Sequence, residues 1–162
     1  MFAVSGVTVS GTMFRIHHFI RPWVSRPHPL KTGVIVKNYR LLIALMLLYG
    51  GASLLHFVQN AQFVADYPNL PPTLSAGRVY AAWLVIAAVG VAGYLLLRMG
   101  HQFWGLSVVG VYAILGFDGL LHYTRAPMAA HTWAMNLSIW FEVVMAAVLF
   151  ALVLMRLRQR LR

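Results

Sequence analysis

No cysteine occurs anywhere in this sequence, which removes disulfides, thiolate nucleophiles and iron–sulfur ligation at once. Acid is nearly as scarce: Asp66, Asp118 and Glu142 are the three acidic residues of the chain. Charged side chains make up 10% of 162 residues. A soluble domain carries roughly 25%, so this chain lacks the polar surface that keeps a protein dispersed in water. Proline is confined to a leader (Pro22, Pro27, Pro29), one loop (Pro68, Pro71, Pro72) and Pro127, which leaves long stretches where no residue breaks a helix.

Hydrophobic residues fill that space, at 60% of the chain. Four apolar segments, at about 39–60, 78–98, 103–123 and 130–155, each approach the roughly 20 residues that a spanning helix needs. The spacing predicts an all-α integral membrane protein with four transmembrane helices in an up-and-down bundle. It divides into a basic N-terminal segment (1–38), the transmembrane domain (39–155) and a basic tail (156–162). Met13 is an alternative start. Charge precedes no apolar core with a small-residue cleavage site, so a signal peptide is not expected.

Lys plus Arg outnumber Asp plus Glu by 13 to 3. The basic residues flank apolar runs instead of forming a patch on a polar surface, so the imbalance reports topology and not nucleic-acid binding. The leader, Arg40 just after it, Arg98 at the next turn and the tail from Arg156 to Arg162 carry all but Arg78 and Arg125. The positive-inside rule then places both termini in the cytoplasm, as expected for a bacterial inner-membrane protein. The basic termini are expected to meet anionic headgroups.

Helical periodicity selects the polar residues that can meet. Tyr49, Ser53, His56 and Asn60 recur at intervals of four, three and four on the first helix. His131, Met135, Ser138, Glu142 and Met145 share a face of the fourth. The third closes on Gly116-Phe117-Asp118-Gly119-Leu120-Leu121-His122-Tyr123, where Asp118 and His122, four apart, would continue the face of Val111 and Leu115. Tyr80, Trp83, Ala87, Gly90 and Tyr94 form a stripe without an ionisable group on the second helix. Leu54-Leu55-His56-Phe57 and Leu120-Leu121-His122-Tyr123 echo one another at the outer ends of two helices.

Three imidazoles and a carboxylate, His56, His122, His131 and Asp118, are thus expected to converge at the outer end of helices one, three and four. Such nitrogen and oxygen donors suit copper, iron or zinc, and an open position would admit water, oxygen or substrate. Asp118 could instead accept the second ring N–H of a histidine, or pair with Arg125 at the interface. Over the stretch Asp118 to His131, Asp-x3-His followed by a further His resembles the metal ligands in a subunit of the copper membrane monooxygenases. That resemblance implies copper; the rest of the chain does not share it. His56 and His122, at equivalent ends of two helices, also permit a bis-histidine haem b.

Glu142 lies eleven residues past His131, roughly 16 Å deeper at 1.5 Å per residue and near the bilayer centre. A charge there costs on the order of 3 kcal/mol, so this acid should face the interior, with Tyr49, Ser107 and Tyr112 at comparable depth. Asn60 and Tyr123 border the site. The expected function is a small membrane protein with a metal-binding, redox-capable site. The alternative is a non-catalytic accessory subunit of a larger respiratory, photosynthetic or transport complex, or a homo-oligomer.

Overall fold

The computed structural model describes residues 32–161, with side chains from Tyr39 onward. The leader up to residue 31, with its histidines, and Arg162 lie outside the described residues. Helix α1 spans Thr32–Gln62, α2 Ala76–Arg98, α3 Gln102–Leu115, the single turn α4 His122–Arg125, and α5 Trp133–Leu161. Short 3-10 turns at Asp118–Leu121 and Met128–Ala130 flank α4. There is no strand among the described residues. Four segments are long and apolar enough to cross a membrane: Tyr39–Gln62, Ala76–Arg98, Gln102–Arg125 and Trp133–Leu161.

Local chemistry explains the boundaries. Ser75 caps α2, its Oγ accepting from Arg78 N–H at 3.4 Å. At the other end of α2 the N–H groups of His101 and Gly100 bond Leu96 O (2.9 Å) and Leu97 O (3.2 Å). Gly100 sits at φ +88 between them, a left-handed position that glycine occupies without penalty. The chain therefore reverses into α3 within a few residues, as expected from Met99-Gly100-His101. Thr132 Oγ1 accepts from Met135 N–H at 3.3 Å and opens α5. His131 consequently lies ahead of this helix and not within it.

One expectation is corrected here, the continuity of the third segment. Helix α1 begins at Thr32, ahead of its apolar span from Tyr39. Helix α5 continues through the basic tail to Leu161, where Arg158 and Arg160 in its last turn meet the negative end of the helix dipole. The third segment is not one continuous helix. Helix α3 ends at Leu115, and a Cβ on Gly116 would stand 2.5 Å from the Tyr49 ring and 2.7 Å from Ala146 Cβ, so only glycine lets α1 and α5 close on this point. The following 3-10 turn changes the rotation per residue, and Val111, expected on the face of Asp118, is exposed instead.

Helix α1 packs against α2 and α5, and α3 packs against the same two. Leu42, Tyr49, Leu106, Val109, Ile139 and Leu149 are completely enclosed between them. Large apolar side chains also cover the outside, with Leu47 72% and Trp133 78% exposed. In hydrocarbon such a surface gains nothing by association, so close packing and interior hydrogen bonds hold the helices together. Arg160 donates to Tyr39 Oη and Gln102 Oε1, both at 3.2 Å. The end of α5 is thereby gathered with the third turn of α1 and the beginning of α3. The opposite end collects the histidines.

Candidate functional site

The stripe on α1 turns inward as its spacing requires: Tyr49, Ser53, His56 and Asn60 are all buried. Across from it, Met135, Ser138 and Glu142 are the buried face of α5, with Met145 half-buried. Ser138 O–H donates to Met135 O at 3.0 Å, so its lone pairs are left to accept. They receive the Gln59 side-chain amide, whose nitrogen also donates to Ala134 O at 3.3 Å while its oxygen accepts from Met135 N–H at 3.1 Å. They also receive His56 Nδ1–H at 3.2 Å. This network fixes the His56 tautomer, leaving Nε2 as a bare acceptor.

That Nε2 faces the Asn60 side-chain nitrogen at 2.9 Å, and His122 Nε2 faces the same nitrogen at 3.4 Å. The amide has two hydrogens and gives one to each ring, so both rings present a lone pair to one point. The ring centroids are 5.6 Å apart at 77°. His131 follows the same pattern: its Nδ1–H donates to Pro127 O at 3.1 Å, and its buried Nε2 has no partner. Its ring lies 6.2 Å from that of His122. The loop carrying it is tied down by Asn136, which donates to Met128 O (3.2 Å) and His131 O (3.3 Å) and accepts from Tyr123 Oη at 2.8 Å.

Glu142 lies beneath, fully buried, with Oε2 3.7 Å from His56 Nε2. Neither of its oxygens has a hydrogen-bond partner. Of the expected partners, Ser107 bonds its own helix at Phe103 O, 2.9 Å away, and the Tyr49 hydroxyl is itself unpartnered. Gly119 flanks the pair: a Cβ there would stand 3.6 Å from Glu142 Oε2 and 3.7 Å from His56 Nε2.

Asp118 sits on the 3-10 turn, with Oδ1 buried and unpartnered. Among the described residues no ion pair joins it to Arg125 and no hydrogen bond joins it to His122 or His131, because the helix break swings it away from the α-helical face its spacing implied. It lines a cavity of about 160 Å³ together with His56, Asn60, Arg78, Gly119 and His122. Among the described residues no group of three or more His, Asp or Glu side chains, as they lie, is arranged to hold a metal ion.

Sequence reasoning missed Gln59, Tyr67 and Arg78. Gln59 carried a signal, as a polar residue three past His56 in an apolar run. Arg78 was one of two basic residues on its side of the bundle; it now lines the cavity and donates to Thr73 O at 2.8 Å. Tyr67 folds over from the α1–α2 loop, its ring 4.7 Å from His122 and 6.1 Å from His131. Burial of this loop residue pushes its phenol up to about 12. Asn69, at φ 58, holds the loop in place by donating to Arg125 O at 2.9 Å.

No family model, curated protein or solved structure matches this chain.

Proposed function

We propose that this chain is a small integral membrane protein that binds a transition-metal ion at the outer end of an up-and-down four-helix bundle. His56 and His122 are the first ligands, through Nε2. The observation that carries this reading is the convergence of those two nitrogens on Asn60 while the far side of the His56 ring is held by Ser138. Histidines that ligate metal characteristically donate their other N–H to a fixed acceptor, as His131 also does toward Pro127. Two imidazoles on one tetrahedral ion stand roughly 5 Å apart at their centroids, and these two are at 5.6 Å.

Asn60 occupies the place of the ion, so binding requires its side chain to turn aside. His131 then offers a third nitrogen, and Asp118 or Glu142 a carboxylate oxygen. Imidazole with carboxylate suits copper, iron or zinc. Haem finds less support, since the cavity of about 160 Å³ beside the pair is below the roughly 300 Å³ at which pockets for organic ligands begin. The excess of Lys and Arg around the leader, Arg98 and the tail supports an orientation with both termini in the cytoplasm of a bacterial inner membrane and the site facing out.

Metal analysis and an absorption spectrum of the detergent-purified protein test the reading. Near-stoichiometric copper, iron or zinc, lost in His122→Ala, is expected. A Soret band would transfer the site to haem. Metal-free protein that co-purifies with other subunits and binds no added ion would leave the accessory-subunit reading in its place.

A further inference from the structure

A second concavity lies away from the histidines, between α1 and α2. It encloses about 550 Å³ and is lined by Met46, Leu47, Gly50, Gly51, Leu54 and, across from them, Trp83, Ala87, Gly90, Val91 and Tyr94. The ionisable-free stripe of α2 is therefore one wall of a groove. Its floor is Tyr112 of α3, which reaches between the two helices. A Cβ on Gly90 would meet the Tyr112 ring at 3.0 Å, and one on Gly50 would meet its hydroxyl at 2.9 Å. Both glycines are what allows the phenol to lie there.

Tyr112 is 6% exposed, and among the described residues its hydroxyl makes no hydrogen bond. An unpartnered phenol thus ends at a mostly apolar groove. Its depth identifies the kind of acceptor it can meet. Tyr112 is ten residues into α3, roughly 15 Å along the helix, which is the middle of a hydrocarbon layer about 30 Å thick. The ester and phosphate oxygens of phospholipids stay at the interface and do not reach it. The acceptor must belong to a molecule whose carbonyl enters the hydrocarbon itself.

We infer that the groove between α1 and α2 binds a membrane-soluble carbonyl lipid of the quinone type, with its apolar tail along Leu47, Leu54 and Val91 and its carbonyl accepting from Tyr112 Oη. The volume suits this class, since pockets for small organic ligands run from roughly 300 to 1,000 Å³. Trp83 stands in the wall and reports on occupancy.

The test uses the full chain in lipid nanodiscs, titrated with decyl-benzoquinone while tryptophan fluorescence is followed. Saturable quenching is expected, with most of the amplitude lost in Trp83→Phe. Tyr112→Phe removes one neutral hydrogen bond and should weaken binding roughly five-fold. Gly51→Phe should abolish it by filling the groove; a Cβ at Gly51 meets nothing within 4 Å, so this variant should fold. Quenching that rises linearly and is the same in the wild type, Tyr112→Phe and Gly51→Phe overturns the inference. So does a brominated-chain phospholipid that quenches Trp83 as well as the quinone does and with equal strength in Tyr112→Phe. A Gly51→Phe protein whose oligomeric mass changes while quinone quenching persists also overturns it, and assigns the groove to a second copy of the chain.

Discussion

Glu142 Oε2 lies 3.7 Å from His56 Nε2 in the interior of the bundle, and neither carboxyl oxygen is hydrogen-bonded. An acid so placed is held by function or by one surviving contact, since an ionised carboxylate without partners is costly in hydrocarbon. Glu142→Gln keeps the shape and removes the charge. Thermal unfolding in detergent should show this variant as stable as the wild type or slightly more so. Its metal affinity should fall on the order of ten-fold or more, as for a lost supporting group at a metal site. Unchanged affinity would remove Glu142 from the proposed centre.

Asn60 is expected to behave in the opposite sense. It bridges two imidazole nitrogens, so Asn60→Ala forfeits about 1 kcal/mol of hydrogen bonding while exposing both lone pairs to an ion. Zinc titration by calorimetry should give affinity equal to or above that of the wild type, with a lowered apparent melting temperature without metal. A large loss of affinity would make Asn60 a ligand rather than a plug.

Ser138→Ala deprives His56 of the acceptor that sets its tautomer and removes one of the three partners of the Gln59 amide. Leaving buried donors unmet costs roughly 1–3 kcal/mol, and metal affinity should drop about 10- to 100-fold. Melting curves with and without metal separate the two effects.

Gly116→Ala and Gly51→Ala form a matched pair. The first puts a methyl group into the Tyr49 ring at 2.5 Å and should cost about 1–3 kcal/mol. The second meets nothing within 4 Å and should be neutral or stabilise by roughly 0.5–1 kcal/mol, since alanine favours helix. Both are read from thermal unfolding.

Tyr67 supplies the pH dependence. Burial raises its phenol from 10.0 to about 12, so the folded state favours the neutral form. The resulting stability is complete below pH 10 and is lost as pH rises from about 10 toward 12. Tyr67→Phe should flatten that alkaline decline, measured as melting temperature against pH.

Sequence spacing located the stripe of α1 whole and that of α5 from Met135 onward, because the helices run unbroken there, while His131 lies ahead of α5. Every residue from Tyr49 to Asn60 on the four-three-four pattern is buried, and so are Ser138 and Glu142. The third segment resisted the same reasoning. Its periodicity ends at Gly116, for a reason lying in Tyr49 and Ala146 on other helices, which no local pattern records. Asp118 and His122 therefore share a cavity without sharing a helical face. Tyr67 and Arg78 were equally hard to place, since loop closure depends on the left-handed turn at Asn69 and on its bond to a residue far along the chain.

Helix α5, at 29 residues, is roughly 43 Å long, well beyond the hydrocarbon thickness of about 30 Å. Its surplus turns carry Arg156, Arg158 and Arg160, and Arg160 clasps Tyr39 of α1 and Gln102 at the start of α3. In the proposed bilayer setting these arginines would lie among the headgroups of one leaflet and act as a depth gauge for the unbroken helix that ends at Trp133. In that setting, deleting a single turn of α5 would draw the imidazoles about 5 Å toward the bilayer centre, so arginines at one end of the bundle would govern how readily solution reaches the histidines at the other.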